Sequence, residues 1–207
     1  MFEVNLAIID YGMANLRSVQ KGFERVGHAA RIVSSADEIA QADRIVLPGV
    51  GAFRDAIATL RQRGIDVAVK DHIARGRPFL GICLGLQMLF DVGEEDGTWE
   101  GMGVIGGRCV RFEVDRTHGL KVPQLGWNAL QKRSDTPLMS GIEEGSHVYF
   151  VHSYHVRPTD ASVIATTTDY GGAFVSSIGR DNIVATQFHP EKSHDWGARL
   201  LKNFAEV

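Results

Sequence analysis

The sequence predicts an α/β protein built on an open, mostly parallel sheet with flanking helices, followed by an antiparallel C-terminal portion. Three observations predict it. Nearly continuous apolar runs such as "VNLAIID" (Val4 to Asp10) suit strands buried on both faces of a parallel sheet. These runs alternate with stretches of helical periodicity, the pattern of a sheet carrying helices on both sides. From Arg108 onward the alternation gives way to short strand-like segments joined by turns.

The elements follow in order. After the first strand, Met13, Leu16, Val19, Phe23 and Val26 recur at helical spacing, and Gly27 stands where a helix would end. "AARIV" is a second strand. Ser35 and Glu38 have capping-box spacing at the head of a short helix, and "RIVLPGVG" is a third strand running into a glycine-rich loop. Helices over Ala52 to Gln62 and Ile65 to Arg75 precede a fourth strand, "PFLGI", and a helix over Leu84 to Phe90 comes next. In the second half "RCVRF", "HVYFVHSYHV", "SVIATTT", "AFVSSI" and "NIVATQF" read as mainly antiparallel strands, with "GRDN" as a hairpin connection. A last helix over Asp195 to Glu206 carries Trp196, Leu200, Leu201 and Phe204 on one face. No repeat or linker interrupts the chain, so residues 1–207 read as a single domain.

Composition removes several classes of function. A chain of 207 residues with 44% hydrophobic content can bury one sizeable core. Its formal charge of −3 leaves no basic field for nucleic acid. The opening residues lack a basic segment followed by a long apolar one, and no apolar run spans a bilayer, which reads as a soluble, cytoplasmic protein without a membrane partner. Two cysteines, Cys83 and Cys109, give neither a disulfide framework nor a CxxC metal pair.

Cys83 stands out. It ends the fourth strand within "GICLGLQ", and ligands of open parallel sheets bind at the carboxyl ends of strands. The G-x-C-x-G pattern follows the logic of a nucleophile elbow: Gly81 and Gly85 remove side chains from a tight strand-to-helix turn, and the thiol projects outward. Cys109 has no such context and reads as a packing residue.

A thiolate nucleophile needs a proton carrier, and His189 is the best of eight histidines. It follows the strand "NIVATQF" and precedes Pro190 and Glu191; residues i and i+2 of an extended segment point the same way, so Glu191 can orient the imidazole. The reading is a Cys83, His189, Glu191 triad. Alternation along one strand places His147 and His155 on one face and His152 on the other, which argues against a metal site. His28, His72, His118 and His194 read as surface or packing residues. For the oxyanion of acyl transfer, the amides of Gly49, Val50 and Gly51 in "PGVG", with that of Leu84, are the candidate donors. That loop lacks the Lys-Ser/Thr ending and full glycine pattern of a phosphate or dinucleotide site. No cofactor or metal is implied.

"GICLGLQ" with the later "HPEKS" resembles the class I, triad-type glutamine amidotransferases, which hydrolyse glutamine through a cysteinyl thioester and pass ammonia to a synthase partner. Within that family, "IIDYGMANLRSV", "LPGVGAF", "PQLGWN" and "VYFVHSYH" are similar to the branch that serves a (β/α)₈ cyclase subunit in histidine biosynthesis as a heterodimer; the anthranilate-type and GMP synthase glutaminases are weaker fits. The resemblance implies that Gln87, Glu95 (or its neighbour Glu94) and the backbone of Ser153 and Tyr154 hold the amino-acid end of glutamine. It also implies that Pro123, Gln124 and Trp127 lie where the cyclase meets this chain. A stand-alone cysteine hydrolase is the alternative reading of the same triad.

Overall fold

The computed structural model describes residues 4–113 and 119–207. In chain order the elements are β1 (Leu6–Ile9), α1 (Leu16–Arg25), β2 (Arg31–Val33), α2 (Ala36–Gln41), β3 (Arg44–Gly49), α3 (Phe53–Gln62), α4 (Ile65–Ala74), β4 (Phe79–Cys83) and α5 (Leu84–Gln87). The second half holds β5 (Phe90–Gly93), β6 (Trp99–Glu100), β7 (Ile105–Arg111), β8 (Gln124–Ala129), β9 (Gln131–Lys132), β10 (His147–His152), β11 (Tyr154–Pro158), β12 (Ile164–Asp169), β13 (Ala173–Arg180), β14 (Ile183–Thr186) and α6 (His194–Glu206).

A central sheet of eight strands runs in the order β2-β1-β3-β4-β14-β13-β12-β9. Its first four strands are parallel, as the apolar runs predict. Side chains alternate across it: Ala7, Ile9, Ile45 and Leu47 face a core closed by α2, α3 and α4. Leu6, Ile8, Val46, Leu80 and Ile82 face the opposite core, which Val19 and Phe23 of α1 and Leu200, Leu201 and Phe204 of α6 complete. The capping box forms: the Glu38 amide donates to Ser35 Oγ at 3.3 Å and the Ser35 amide to Glu38 Oε2 at 3.1 Å. Among the described residues no helix is long and apolar enough to cross a membrane.

The C-terminal portion departs from the sequence expectation in three ways. First, β14 is antiparallel to β13 but parallel to β4, so one strand of the portion expected to be mainly antiparallel joins the parallel half. Second, "HVYFVHSYHV" breaks at Ser153 into β10, paired with β8 in a two-stranded ribbon, and β11, paired with β7 in a sheet ordered β11-β7-β5-β6. Third, the helix after Cys83 ends at Gln87 and not at Phe90. The backbone of Met88, Leu89 and Phe90 is used elsewhere: their carbonyls accept from Met102, from Val104 and Ile105, and from Gly103.

Candidate active site

Cys83 closes β4 with φ +56° and ψ −107°, a conformation that side-chain-bearing residues seldom adopt, and α5 begins at the next residue. The turn exists because glycine permits it. A Cβ on Gly85 would collide with the Leu47 carbonyl oxygen of β3, and one on Gly81 would sit 3.0 Å from the Gly85 backbone and from Ala185 Cβ. The thiol opens into a cavity of about 290 Å³. That volume is near the lower end for a small-molecule pocket.

His189 reaches the same cavity three residues beyond the end of β14. Its backbone is clamped: the amide donates to the Tyr149 carbonyl at 3.0 Å, and the carbonyl accepts from Ser193 Oγ at 2.6 Å. Ser193 Oγ in turn accepts from the Tyr149 amide at 3.0 Å, which ties the end of β14 to β10. The imidazole Nδ1 donates to Glu191 Oε1 at 2.8 Å, with both side chains buried. Cys83, His189 and Glu191 are thus brought together in space.

Burial pushes the His189 imidazolium down, but the Cys83 sulfur and the Glu191 carboxylate outweigh it and hold the group up at about 10. Such a group binds its proton more tightly when folded. Its contribution to stability is therefore full below the ordinary value near 6.5 and fades as pH rises through about 10. Because the sulfur is the leading cause of the rise, the imidazole of a Cys83→Ala variant is expected to titrate lower than in the unmodified protein. An NMR titration of the His189 ring protons measures this; an unchanged midpoint would mean that the sulfur does not act on the ring.

The amides of the "PGVG" loop are only partly available. Gly49 is register partner to Cys83 across β3 and β4, and Val50 and Gly51 line the cavity, as does Leu84. The Val50 amide, however, donates to the Met13 carbonyl at 2.9 Å, so it points away from an oxyanion at Cys83. This corrects the expectation for Val50 in the present conformation: the loop preceding α1 supplies an acceptor that the amide takes.

Gln87, Glu95, Ser153 and Tyr154 also line the cavity. Glu95 Oε2 accepts from the Phe53 amide at the start of α3 at 2.6 Å, whereas Glu94 pairs with Arg108 at 2.8 Å away from the cavity lining. Gln87 is buried, and its Nε2 donates to the Tyr154 carbonyl at 3.0 Å and to Gln187 Oε1 at 3.1 Å. The sequence alone does not single out Gln187 or Ser193. The available signals were an amide inside an otherwise apolar strand and a hydroxyl just past "HPEK".

Pro123 borders the cavity, and Leu125 and Trp127 of β8 are exposed. Gln124 corrects the partner expectation: its side chain is fully buried, with Nε2 on Asn128 Oδ1 at 2.8 Å, and alternation along β8 exposes Leu125 instead. The histidines need a second correction. The break at Ser153 puts His152 and His155 on one aromatic cluster with Phe112 and Phe174, while His147 is exposed. His72 is buried against the Pro78 carbonyl, His28 lies 3.4 Å from Glu206, and His194 stacks on Trp127. His118 lies outside the described residues.

The family model for glutamine amidotransferase class-I matches residues 7–207. The chain belongs to that family. This amidotransferase is 53% identical over 205 residues to the imidazole glycerol phosphate synthase subunit HisH of Syntrophotalea carbinolica, covering 98% of this chain and 100% of the relative. It is 56% identical over 200 residues to the HisH subunit of Rhodopirellula baltica, covering 97% of this chain and 96% of that one. Among solved structures, PurLQS from Thermotoga maritima superposes on the amidotransferase with a TM-score of 0.77 at 18% identity, covering 99% of each chain. That likeness concerns the fold.

Proposed function

We propose that this amidotransferase is the glutaminase subunit of imidazole glycerol phosphate synthase, acting in the cytoplasm as one domain over residues 1–207 and passing ammonia to a (β/α)₈ cyclase subunit. The observation that carries the reading is a buried Cys83, His189 and Glu191 line at neighbouring strand ends, in a chain 53% identical to a HisH subunit along nearly its whole length. A central sheet that takes strands from both halves supports the single domain.

In this reading the Cys83 sulfur attacks the carboxamide carbon of glutamine. His189 gives its proton to the departing amine as the C–N bond breaks, leaving a thioester. A water then gives a proton to His189 and releases glutamate, while Glu191 holds Nδ1–H and keeps the reactive nitrogen turned to the sulfur. Gln87, Glu95 and the backbone at Ser153 and Tyr154 seat the amino-acid end of the substrate. The cyclase docks over Pro123, Leu125 and Trp127.

Free ammonia is protonated in water and lost as a nucleophile, so hydrolysis without a partner would waste glutamine. The Val50 amide, held by Met13, supports a resting state that lacks one oxyanion donor. Losing one such donor costs about 10²–10³ in turnover. Adding the cyclase with its ribonucleotide ligand is therefore expected to raise glutamate release by about two to three orders of magnitude. Equal turnover with and without the cyclase would point to a stand-alone hydrolase, and stimulation by an anthranilate-type synthase instead would reassign the partner.

A further inference from the structure

Cys83 has a second polar neighbour besides His189. Gln187 is completely buried, and its Nε2 lies 3.6 Å from Cys83 Sγ. Which end of that amide meets the sulfur is decided elsewhere. The Tyr154 carbonyl can only accept; it takes His152 Nδ1–H at 2.8 Å and Gln87 Nε2–H at 3.0 Å. Gln87 is thereby oriented, and its second N–H points at Gln187, where only an oxygen can accept it, at 3.1 Å. Gln187 must then turn its own N–H₂ to the sulfur. One backbone carbonyl, through two side-chain amides, delivers a donor to the thiol.

We propose that Gln187 is a thiolate-stabilising donor: its Nε2–H and the His189 imidazolium together hold the ionised Cys83 sulfur, with Tyr154 and Gln87 fixing the polarity of the amide. A thiolate, and not a thiol, is the reactive species, and hydrogen bonds to a charged acceptor are worth more than those to a neutral one. Among the described residues the sulfur acts on His189, Tyr11 and Cys109, and Glu95 lines the same cavity. Burial pushes both the Tyr11 phenol and the Cys109 thiol up, so neither carries charge at neutral pH. His152, behind the Tyr154 carbonyl, is pushed down by burial to about 3 and is neutral as well. His189, itself paired with Glu191, is then the cation that faces the sulfur, and Gln187 adds a neutral donor.

The inference rests on the proposed role of Cys83, but its deciding readout needs neither glutamine nor cyclase. The rate of Cys83 alkylation by iodoacetamide is followed against pH in the purified chain, with the labelled peptide identified by mass spectrometry. Gln187→Met keeps the volume and removes the donor, so the midpoint of the profile is expected about one pH unit higher. Gln187→Leu likewise removes the donor, so its midpoint is expected to rise by a similar amount. In the cyclase complex Gln187→Met is expected to lose about tenfold in kcat with KM nearly unchanged. A folded Gln187→Met chain with an unshifted alkylation midpoint overturns the proposal. If that variant fails to fold, an unshifted midpoint in Gln187→Leu does so. A shifted midpoint in a chain that hydrolyses no glutamine would keep the Gln187 role and overturn the glutaminase reading alone.

Discussion

Replacing Cys83 with alanine is expected to abolish glutamine-dependent turnover in the cyclase complex, a fall of about four orders of magnitude or more. The size follows from the chemistry. Without the sulfur no thioester forms, and water must attack an unactivated carboxamide directly. The substitution removes one atom from a residue that is only 7% exposed, so the fold and the association with the cyclase should survive. The discriminating measurement supplies ammonium salt in place of glutamine: the complex should then run at the unmodified rate. A variant that loses both activities would show that Cys83 supports the complex structurally, and one that keeps both would remove it from the reaction.

The largest effect on stability is expected at Gly85→Ala. The new methyl would meet the Leu47 carbonyl oxygen, a backbone atom of the central sheet that cannot rotate away. Either α5 lifts off β3 or β3 distorts, and both routes unpack the core around Leu84 and Leu86. Overpacking with no flexible neighbour costs about 3 kcal/mol or more. Urea unfolding should report that loss, and glutaminase activity should fall with it because Cys83 is the residue at the hinge of the movement. A variant of unchanged midpoint would mean that the close approach of α5 to β3 is not needed.

The parallel half was legible because each strand is a compact apolar run and each helix repeats its apolar positions, a local signal that tertiary contacts reinforce. Cys83, His189 and Glu191 were legible for the related reason that strand ends in such a sheet are marked by an abrupt change in residue type. Elements stabilised by distant partners were not. β5 and β6 are four and two residues long, too short to carry a period, and exist because β7 pairs with β5. "HVYFVHSYHV" alternates well enough to pass for one strand; only the separate demands of β8 and β7 divide it at Ser153. Gln187 looked like part of an apolar strand because its partners, Gln87 and Cys83, lie 100 and 104 residues away in sequence. The Val50 amide was misjudged since glycine-rich composition says which orientations a loop can take, not which acceptor it has already found.

The register between β4 and β14 sets a tolerance for change. Ile82 is paired with Thr186, Cys83 follows by one residue and His189 by three. The gap between sulfur and imidazole is thus gauged in two fixed increments, the spacing of adjacent strands, about 4.8 Å, and the rise per residue, about 3.3 Å. Lengthening a surface loop leaves that gauge alone. One residue gained or lost between Ile183 and His189 would shift the imidazole by a whole increment and turn it to the opposite side of the sheet. The molecule is therefore permissive to insertion around its rim and unforgiving over the seven residues from Ile183 to His189, of which the first four form β14.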